Sequence, residues 1–267
     1  MVSINPLKRK KTMKKYIFMA VAGMLALSSC SNDDNDVQNA PRQMTFTAGF
    51  GDEAQTRATL DTKKVSFDAN DEISILSANN TNTKFTTTAG GASTTFTGTA
   101  TADSKFYAVY PYTDGLALSG TTISGVEIPT SQYDAATSTC GWDPAAPIAY
   151  ATTTGTSLQF HNACALLKIH NGRGFANQIG VMCDEALTGK FSLDTSSGAL
   201  SGSSTFSIAS AVSVPSGKTI YIAIAPGEKT YFMADWDNGV DHATKFKMSV
   251  TFEAGKIYDL GNTSDWN

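Results

Sequence analysis

The segment Met44-Thr45-Phe46-Thr47-Ala48-Gly49-Phe50 alternates apolar residues with polar or small ones. Successive side chains of a β-strand point to opposite faces, so Met44, Phe46, Ala48 and Phe50 are expected to share one face. The segment therefore predicts a strand that buries this face in an apolar core.

The same pattern recurs as short alternating runs separated by turns, and no long stretch beyond the N-terminus has a helical period. The predicted strands span residues 44–50, 72–77, 83–88, 93–99, 105–112, 121–128, 148–152, 158–170, 178–183, 187–193, 204–208, 219–225, 230–235, 244–252 and 256–260. Asn171-Gly172 and Asn238-Gly239 have the residue types of tight turns, because both residues tolerate a positive φ angle. Many short strands with regular turns predict an all-β fold of β-sandwiches.

The length of 267 residues suits two domains of ordinary size. Residues 132–147 lack the alternation and contain prolines, which predicts a long loop or a domain junction. We therefore place a boundary near Gly155. It separates an N-terminal β-sandwich at residues 43–155 from a C-terminal β-sandwich at residues 156–267.

The N-terminus has the three parts of a secretory signal. A basic stretch at residues 8–15 precedes an apolar run at residues 16–27, and Leu27-Ser28-Ser29-Cys30 follows. The apolar run is shorter than the roughly 20 residues that span a bilayer. Leu-Ser-Ser-Cys matches the bacterial lipobox, so residues 1–29 are the predicted signal peptide and Cys30 is the predicted site of lipidation. An ordinary secretory signal with a chance cysteine is the alternative.

The residues that follow Cys30 are polar and acidic, and we interpret residues 30–42 as a solvated tether. Residues 31–36 resemble the acidic export tag that directs some lipoproteins to the outer leaflet of the outer membrane. This resemblance predicts a surface-exposed precursor that is held to the outer membrane by its lipid. Met13 is an alternative start of the chain, because lysines follow it directly.

The composition bears on the classes of partner. Charged residues make up 16% of the chain and the formal net charge is −4. No basic patch is rich enough to suggest nucleic acid as a partner. Threonine, serine, alanine and glycine dominate, with β-branched and aromatic residues between them, and this mixture favours strands and turns over helices.

Of the 4 cysteines, Cys140, Cys164 and Cys183 follow the lipobox. An odd number leaves either one disulfide with a free thiol or three small buried side chains, and we favour the buried side chains. No pair has the spacing of metal ligands, and the 3 histidines lie far from any Cys-x-x-Cys motif. Neither a metal nor another cofactor is therefore expected.

Four segments occur in an order that is typical of one protein family. They are Phe67-Asp68-Ala69-Asn70-Asp71-Glu72-Ile73, Phe106-Tyr107-Ala108-Val109-Tyr110-Pro111-Tyr112, Phe160-His161-Asn162-Ala163-Cys164-Ala165-Leu166-Leu167-Lys168-Ile169 and Ala254-Gly255-Lys256-Ile257-Tyr258-Asp259-Leu260. The second is the most specific, because it is similar to the family's Tyr-Ala-x-Tyr-Pro-Tyr strand. Over most of its length the chain resembles the fimbrillins, which form the type V pili of Gram-negative anaerobes of the gut and mouth.

The resemblance implies two transthyretin-like β-sandwich domains with Greek-key connections, in a subunit of a cell-surface pilus (fimbria). Family precursors are lipoproteins, and an arginine-specific protease cuts them after an arginine that follows the first strand. Thr56-Arg57-Ala58-Thr59 matches this context, so the predicted cut lies between Arg57 and Ala58. Arg42 is a weaker alternative, because a cut there would leave the first strand in place. An exposed loop arginine without this role is a further alternative.

The resemblance also gives the first strand a role. Its removal, with Met44, Phe46, Ala48 and Phe50, would release the lipid and open a groove. Another pilus subunit would fill that groove with a donor strand, by β-strand addition.

The C-terminus departs from the family pattern. Stalk subunits carry an extra C-terminal donor segment, whereas here only residues 261–267 follow the last predicted strand, and apart from Trp266 they are polar or small. This tail predicts a subunit that accepts a strand but gives none, as a tip subunit or adhesin would, with a host or bacterial surface ligand. A donor formed by rearrangement of residues 256–260 is the alternative.

An enzyme is not expected. Asp235, Asp237, Asp241 and His242 are close in sequence, but no nucleophile, base and orienting group can be assigned among the abundant serines and threonines. Asp235-Trp236-Asp237-Asn238-Gly239 looks like a calcium loop but lacks the EF-hand spacing and its final glutamate, so we interpret it as a turn.

A permanently anchored surface lipoprotein that binds glycans is the alternative function. Trp142, Trp236 and Trp266 could stack on sugars, or they could be ordinary core and edge aromatics. The two hypotheses differ in one observable. A pilin releases a form that begins at Ala58, whereas a static binder keeps its lipid and its first strand.

Overall fold

The computed structural model describes residues 40–51, 66–134, 141–143, 145–202, 206–237 and 240–266. Their regular structure is β-strand apart from one 3-10 turn at Thr263–Asp265, so the prediction of an all-β fold is confirmed. None of these residues forms a helix long and apolar enough to cross a membrane. Cys30, Arg57, Ala58 and Cys140 lie outside the described residues.

The strands are numbered in chain order. They are β1 (Arg42–Phe50), β2 (Glu72–Ser77), β3 (Asn80–Thr86), β4 (Ser93–Ala100), β5 (Phe106–Tyr110), β6 (Ala117–Ser119), β7 (Thr122–Ile128), β8 (Ser131–Asp134), β9 (Ala149–Thr153), β10 (Ser157–Asn162), β11 (Ala165–His170), β12 (Ala176–Cys183), β13 (Gly189–Asp194), β14 (Ala199–Ser201), β15 (Ser207–Val214), β16 (Thr219–Ile224), β17 (Gly227–Asp237), β18 (Val240–Phe252) and β19 (Ile257–Asn262). The predicted run at residues 158–170 is two strands, β10 and β11. The short strands β6, β8 and β14 were not predicted, because three or four residues are too few to establish an alternation.

One sheet closes on itself in the order β1, β10, β9, β5, β2, β3, β4, with β4 paired back to β1. Its interior is rich in phenylalanine. The buried rings are Phe46, Phe67, Phe85, Phe96, Phe106 and Phe160. Inward and outward side chains alternate in a barrel as they do in a sandwich, so the sequence pattern predicts the strands but does not distinguish the two.

A second core contains side chains from two facing sheets. One sheet has the order β16, β11, β19 and the other has the order β18, β17, β12, β15, β8. Isoleucine, valine, leucine and alanine from both sheets meet in this core, together with Trp266 near the C-terminus.

A third core joins the barrel strands β5 and β9 to the sheet β14, β13, β7, β6 and to β11. Leu166 belongs to this third core and Leu167 to the second, so β11 is buried on both faces. Burial on both faces explains why the sequence around these leucines is continuously apolar instead of alternating.

The region that the sequence predicts as a loop contains β8, which pairs in parallel with β15. Gln132 is buried there, and its side chain bonds the backbone of Ala223 twice. Its Nε2 donates to the Ala223 oxygen at 2.5 Å, and its Oε1 accepts from the Ala223 nitrogen at 2.7 Å. The glutamine thus takes the place of a neighbouring strand, which no periodic signal could reveal.

Strands that precede residue 155 pair with strands that follow it. β1 pairs with β10, and β7 pairs with β13. The domain limits at residues 43–155 and 156–267 stay a prediction.

The turn after β13 is organised by one carboxylate. Asp194 accepts hydrogen bonds from the Ser196 nitrogen at 3.0 Å, from the Ser196 hydroxyl at 2.8 Å and from the Ser197 hydroxyl at 2.9 Å. Thr121, in the turn between β6 and β7, adds a fourth donor at 3.2 Å. Donors to the charged form, led by the Ser196 nitrogen, lower the pKa of Asp194 to about 2.

We expect Asp194→Asn to lower the thermal midpoint at pH 7 and to have a much smaller effect near pH 2. A carboxyl group whose pKa is lowered in the folded state stabilises the protein at pH values above its ordinary pKa of 3.8. This stabilisation is lost as the pH falls through about 2. Thermal unfolding at both pH values measures the difference. Asp184→Asn, at an exposed carboxylate, is the control, and an equal effect of Asp194→Asn at both pH values would contradict the prediction.

Candidate functional site

Strand β1 completes the barrel between β4 and β10. Residues 42–49 pair antiparallel with residues 93–100 of β4, and residues 47–50 pair in parallel with residues 157–160 of β10. Removal of β1 would therefore open the barrel along a seam between two strands that are distant in sequence. We take this strand and its surroundings as the candidate functional site.

The inward face of β1 is the one that the alternation predicts: Met44, Phe46, Ala48 and Phe50. Phe46 and Ala48 are 0% exposed. The Phe46 ring meets Phe85 at 5.4 Å and Phe106 at 5.2 Å between centroids, both edge to face. The two rings come from β3 and β5, on different parts of the barrel wall, so Phe46 is a central contact of this core.

Phe50 ends the strand in an aromatic cluster. Its ring stacks on Phe67 at 4.9 Å and lies 6.3 Å from Tyr110 and 6.0 Å from Phe160. The Tyr110 hydroxyl donates to Asp71 at 3.0 Å. Burial, together with the Asp71 charge, raises the pKa of Tyr110, so the phenol stays neutral and keeps this hydrogen bond.

The segment with the predicted cut starts and ends at this cluster. Gly51 follows Phe50, and the chain is described again just before Phe67, which bridges to Gly91 with backbone bonds of 2.9 and 2.8 Å. Arg57 and Ala58 lie between these points, outside the described residues, and cleavage between them stays a prediction.

The two halves of β1 are held differently. Among the described residues, the ladder pairs residues 42–46 with β4 alone and residues 47–49 with both β4 and β10, whereas Phe50 pairs with β10 alone. The Thr47 nitrogen adds a 2.8 Å bond to the Thr156 oxygen. Arg42, the alternative cleavage residue, is exposed at the start of the weaker half.

The C-terminal tail is fixed in the second core. Trp266 is 0% exposed. Arg173 donates from Nε to the Thr263 oxygen at 2.9 Å and from its guanidinium to the Trp266 oxygen at 2.7 Å. The Thr263 hydroxyl donates to the buried Asn171 side chain at 3.0 Å. The tail is therefore an integral part of the fold.

This arrangement corrects one idea from the sequence. Trp266 cannot stack on a sugar while it is fully buried. Residues 257–260 of the alternative donor segment belong to β19, which pairs in parallel with β11. The sequence gives no signal for the contact with Arg173, because the two residues are far apart in the chain and neither belongs to a motif.

The described cysteines support the interpretation as buried hydrophobic residues. Cys164 and Cys183 are both buried in hydrophobic cores. The Cys183 thiol donates to the Glu185 oxygen at 3.0 Å, and burial raises its pKa to about 12, which disfavours a reactive thiolate.

Other residues singled out in the sequence do not assemble into a described site. Trp142 is partly buried and Asp235 is fully buried. The side chains of Trp236, Asp237, Asp241 and His242 lie outside the described part of the structure. No group of three or more histidine, cysteine, aspartate or glutamate side chains within the described ranges could hold a metal ion.

Known structures share this fold. A candidate cell adhesion protein from Bacteroides ovatus matches with a TM-score of 0.50 and 16% identity, over 83% of this chain and 92% of that one. A candidate cell adhesion protein from Bacteroides uniformis matches with a TM-score of 0.50 and 16% identity, over 84% and 94%. No protein-family model and no curated protein sequence matches the chain. At this identity the likeness establishes a shared fold and nothing further.

Proposed function

We propose that the chain is a fimbrillin-type subunit of a cell-surface pilus, which loses β1 by proteolysis and accepts a donor strand in its place. One observation carries the proposal. β1 is paired on both sides, buries an aromatic face and is followed by the segment that contains Arg57. Two further findings support it: the fold is shared with the adhesion proteins, and the sequence resembles the fimbrillins.

Loss of β1 would leave a strong template for another strand. Backbone hydrogen bonds contribute about 0.5–1.5 kcal/mol each in net terms, and they would be lost on the edges of both β4 and β10. Burial of a side chain such as Phe46 or Phe50 adds roughly 1.5–3 kcal/mol. A donor with a similar apolar face restores both contributions, so exchange needs no external energy source.

The proposed route begins with a precursor that is lipidated on Cys30 and displayed at the outer membrane. A cut after Arg57 would leave the lipid on the removed segment and free the remainder for the pilus. In this proposal the chain acts without catalysis or cofactor, its domains have the transthyretin-like layout of the family, and other pilus subunits are its partners.

The proposal includes a position at the pilus tip, with a surface ligand. It is supported by β19 and Trp266, which are occupied within the chain's own fold and so are not available as a donor strand. Deletion of residues 261–267 is a poor test of this role, because it also removes a core side chain.

The test is Arg57→Ala in the natural host, with Arg42→Ala as the matched control. We expect the wild type and the control to yield a mature chain that begins at Ala58 and enters polymers. We expect Arg57→Ala to stay lipid-anchored with β1 intact and to be absent from pili. Mass spectrometry of the surface protein and of purified pili measures both outcomes. Pili that contain an intact chain starting at Cys30 would disprove the mechanism.

A further inference from the structure

The groove that β1 would leave is selective at defined positions. Phe46 sits against Phe85 and Phe106, and Phe50 sits against a separate cluster that includes Phe67 and Phe160. These partner rings all follow the predicted cut in sequence, so they remain with the processed chain. The groove thus keeps two aromatic sites that are four residues apart along the donor.

Between these two sites lies a position for a small side chain. Ala48 is 0% exposed and faces the same core, midway between Phe46 and Phe50. Protein interiors are close-packed, so extra volume at such a point forces neighbouring rings to move. An incoming strand therefore needs a small residue here.

The outward positions of β1 impose little selection. Thr45 and Thr47 are exposed. A Cβ added to Gly49 would meet its nearest atom, the Ala92 oxygen, at 3.5 Å, which is ordinary contact. Side chains of many sizes fit at these alternate positions.

The chain's own C-terminal region does not provide such a strand. β19 has the sequence IYDLGN. In a regular donor strand, Ile257, Asp259 and Gly261 would share one face, and Tyr258, Leu260 and Asn262 would share the other. Neither face has two aromatics around a small residue. The tail beyond it is held by Trp266 and Arg173.

We propose that the groove takes a strand from a different protein, with the pattern aromatic-x-small-x-aromatic, and discriminates against the C-terminal segment of a second copy of this chain. The proposal rests on the exchange mechanism proposed above and names the chemistry of the partner. The donor runs parallel to β10, places its first aromatic against Phe85 and Phe106, and places its second against Phe67 and Phe160.

The experiment uses the full chain with a recognition sequence for an unrelated site-specific protease placed within residues 55–60. Cutting there frees the end of β1 whether or not Arg57 is the natural site. Fluorescent peptides that correspond to residues 42–51 are then added, and their stable incorporation is measured by gel filtration and anisotropy. The series contains the native peptide, Phe50→Ala, Ala48→Leu, the outward control Thr45→Ala, and a peptide of residues 256–267.

We expect the native and Thr45→Ala peptides to incorporate equally, and the Phe50→Ala and Ala48→Leu peptides to incorporate about tenfold less or worse. The peptide of residues 256–267 should not incorporate. Uptake of the Ala48→Leu or the Phe50→Ala peptide equal to that of the native peptide, or uptake of the C-terminal peptide, would overturn the selectivity. Failure of every peptide, including the native one, would instead refute strand exchange itself and this proposal with it.

Discussion

Replacement of Trp266 by alanine is expected to lower the free energy of unfolding by about 3–5 kcal/mol. The side chain is 0% exposed and lies in the core between the sheets that contain β11 and β12. Its loss leaves a large cavity in this core, and the hydrogen bond from Arg173 to the Trp266 oxygen would then hold a tail without its anchor. Urea denaturation followed by circular dichroism measures the change, and hydrogen exchange in β19 locates it.

The control for this variant is Phe175→Ala. Phe175 is a large aromatic in the same region but is 48% exposed, so its truncation should cost within about 0.5 kcal/mol, as is usual for surface substitutions. Similar effects of Trp266→Ala and Phe175→Ala would mean that the tail is not fixed in the core. Such a result would also make the C-terminal segment a candidate donor strand.

Phe46→Ala is expected to have an effect of similar size on the barrel, about 3–5 kcal/mol. The ring is fully buried and makes edge-to-face contacts with Phe85 and Phe106. Such aromatic pairs contribute stability beyond that of burying their apolar surface. Because Phe46→Ala weakens the hold on β1, the uncut variant should also exchange β1 for an added peptide of residues 42–51 more readily than the wild type does. Unfolding measurements and peptide uptake by the uncut chain test the two consequences.

The neighbouring residue supplies a matched control. Thr45 lies on the same strand but is exposed, and its hydroxyl is 3.4 Å from that of Thr97. Thr45→Ala should change stability by less than about 1 kcal/mol and should not promote exchange. If Phe46→Ala destabilises the barrel without promoting uptake, then retention of β1 does not limit exchange.

The first strand shows how much of the site the sequence predicts. The period of two in residues 44–50 identifies both the strand and its buried face, because this period depends on the local backbone alone. The period does not predict which residues that face contacts. Phe67 and Phe160 come from distant parts of the chain, and only closure of the barrel brings them to Phe50.

Errors in the prediction occur where a single side chain outweighs the local pattern. Trp266 stands in a polar tail, so nothing around it indicates burial, and its place is set by Arg173 and the second core. Gln132 lies in a stretch without alternation, yet its amide bonds the backbone of Ala223 from both ends. Contacts of this kind depend on tertiary structure and leave no periodic trace.

The pairing of residues 47–49 on both sides has a mechanical consequence for a strand in this groove. Tension along the strand axis loads the hydrogen bonds to β4 and β10 in shear, so they must fail together. A force perpendicular to the sheet would instead peel the strand away bond by bond, starting at residues 42–46, where the ladder holds only one edge. A filament joined through such strands would therefore resist stretching far better than it resists peeling.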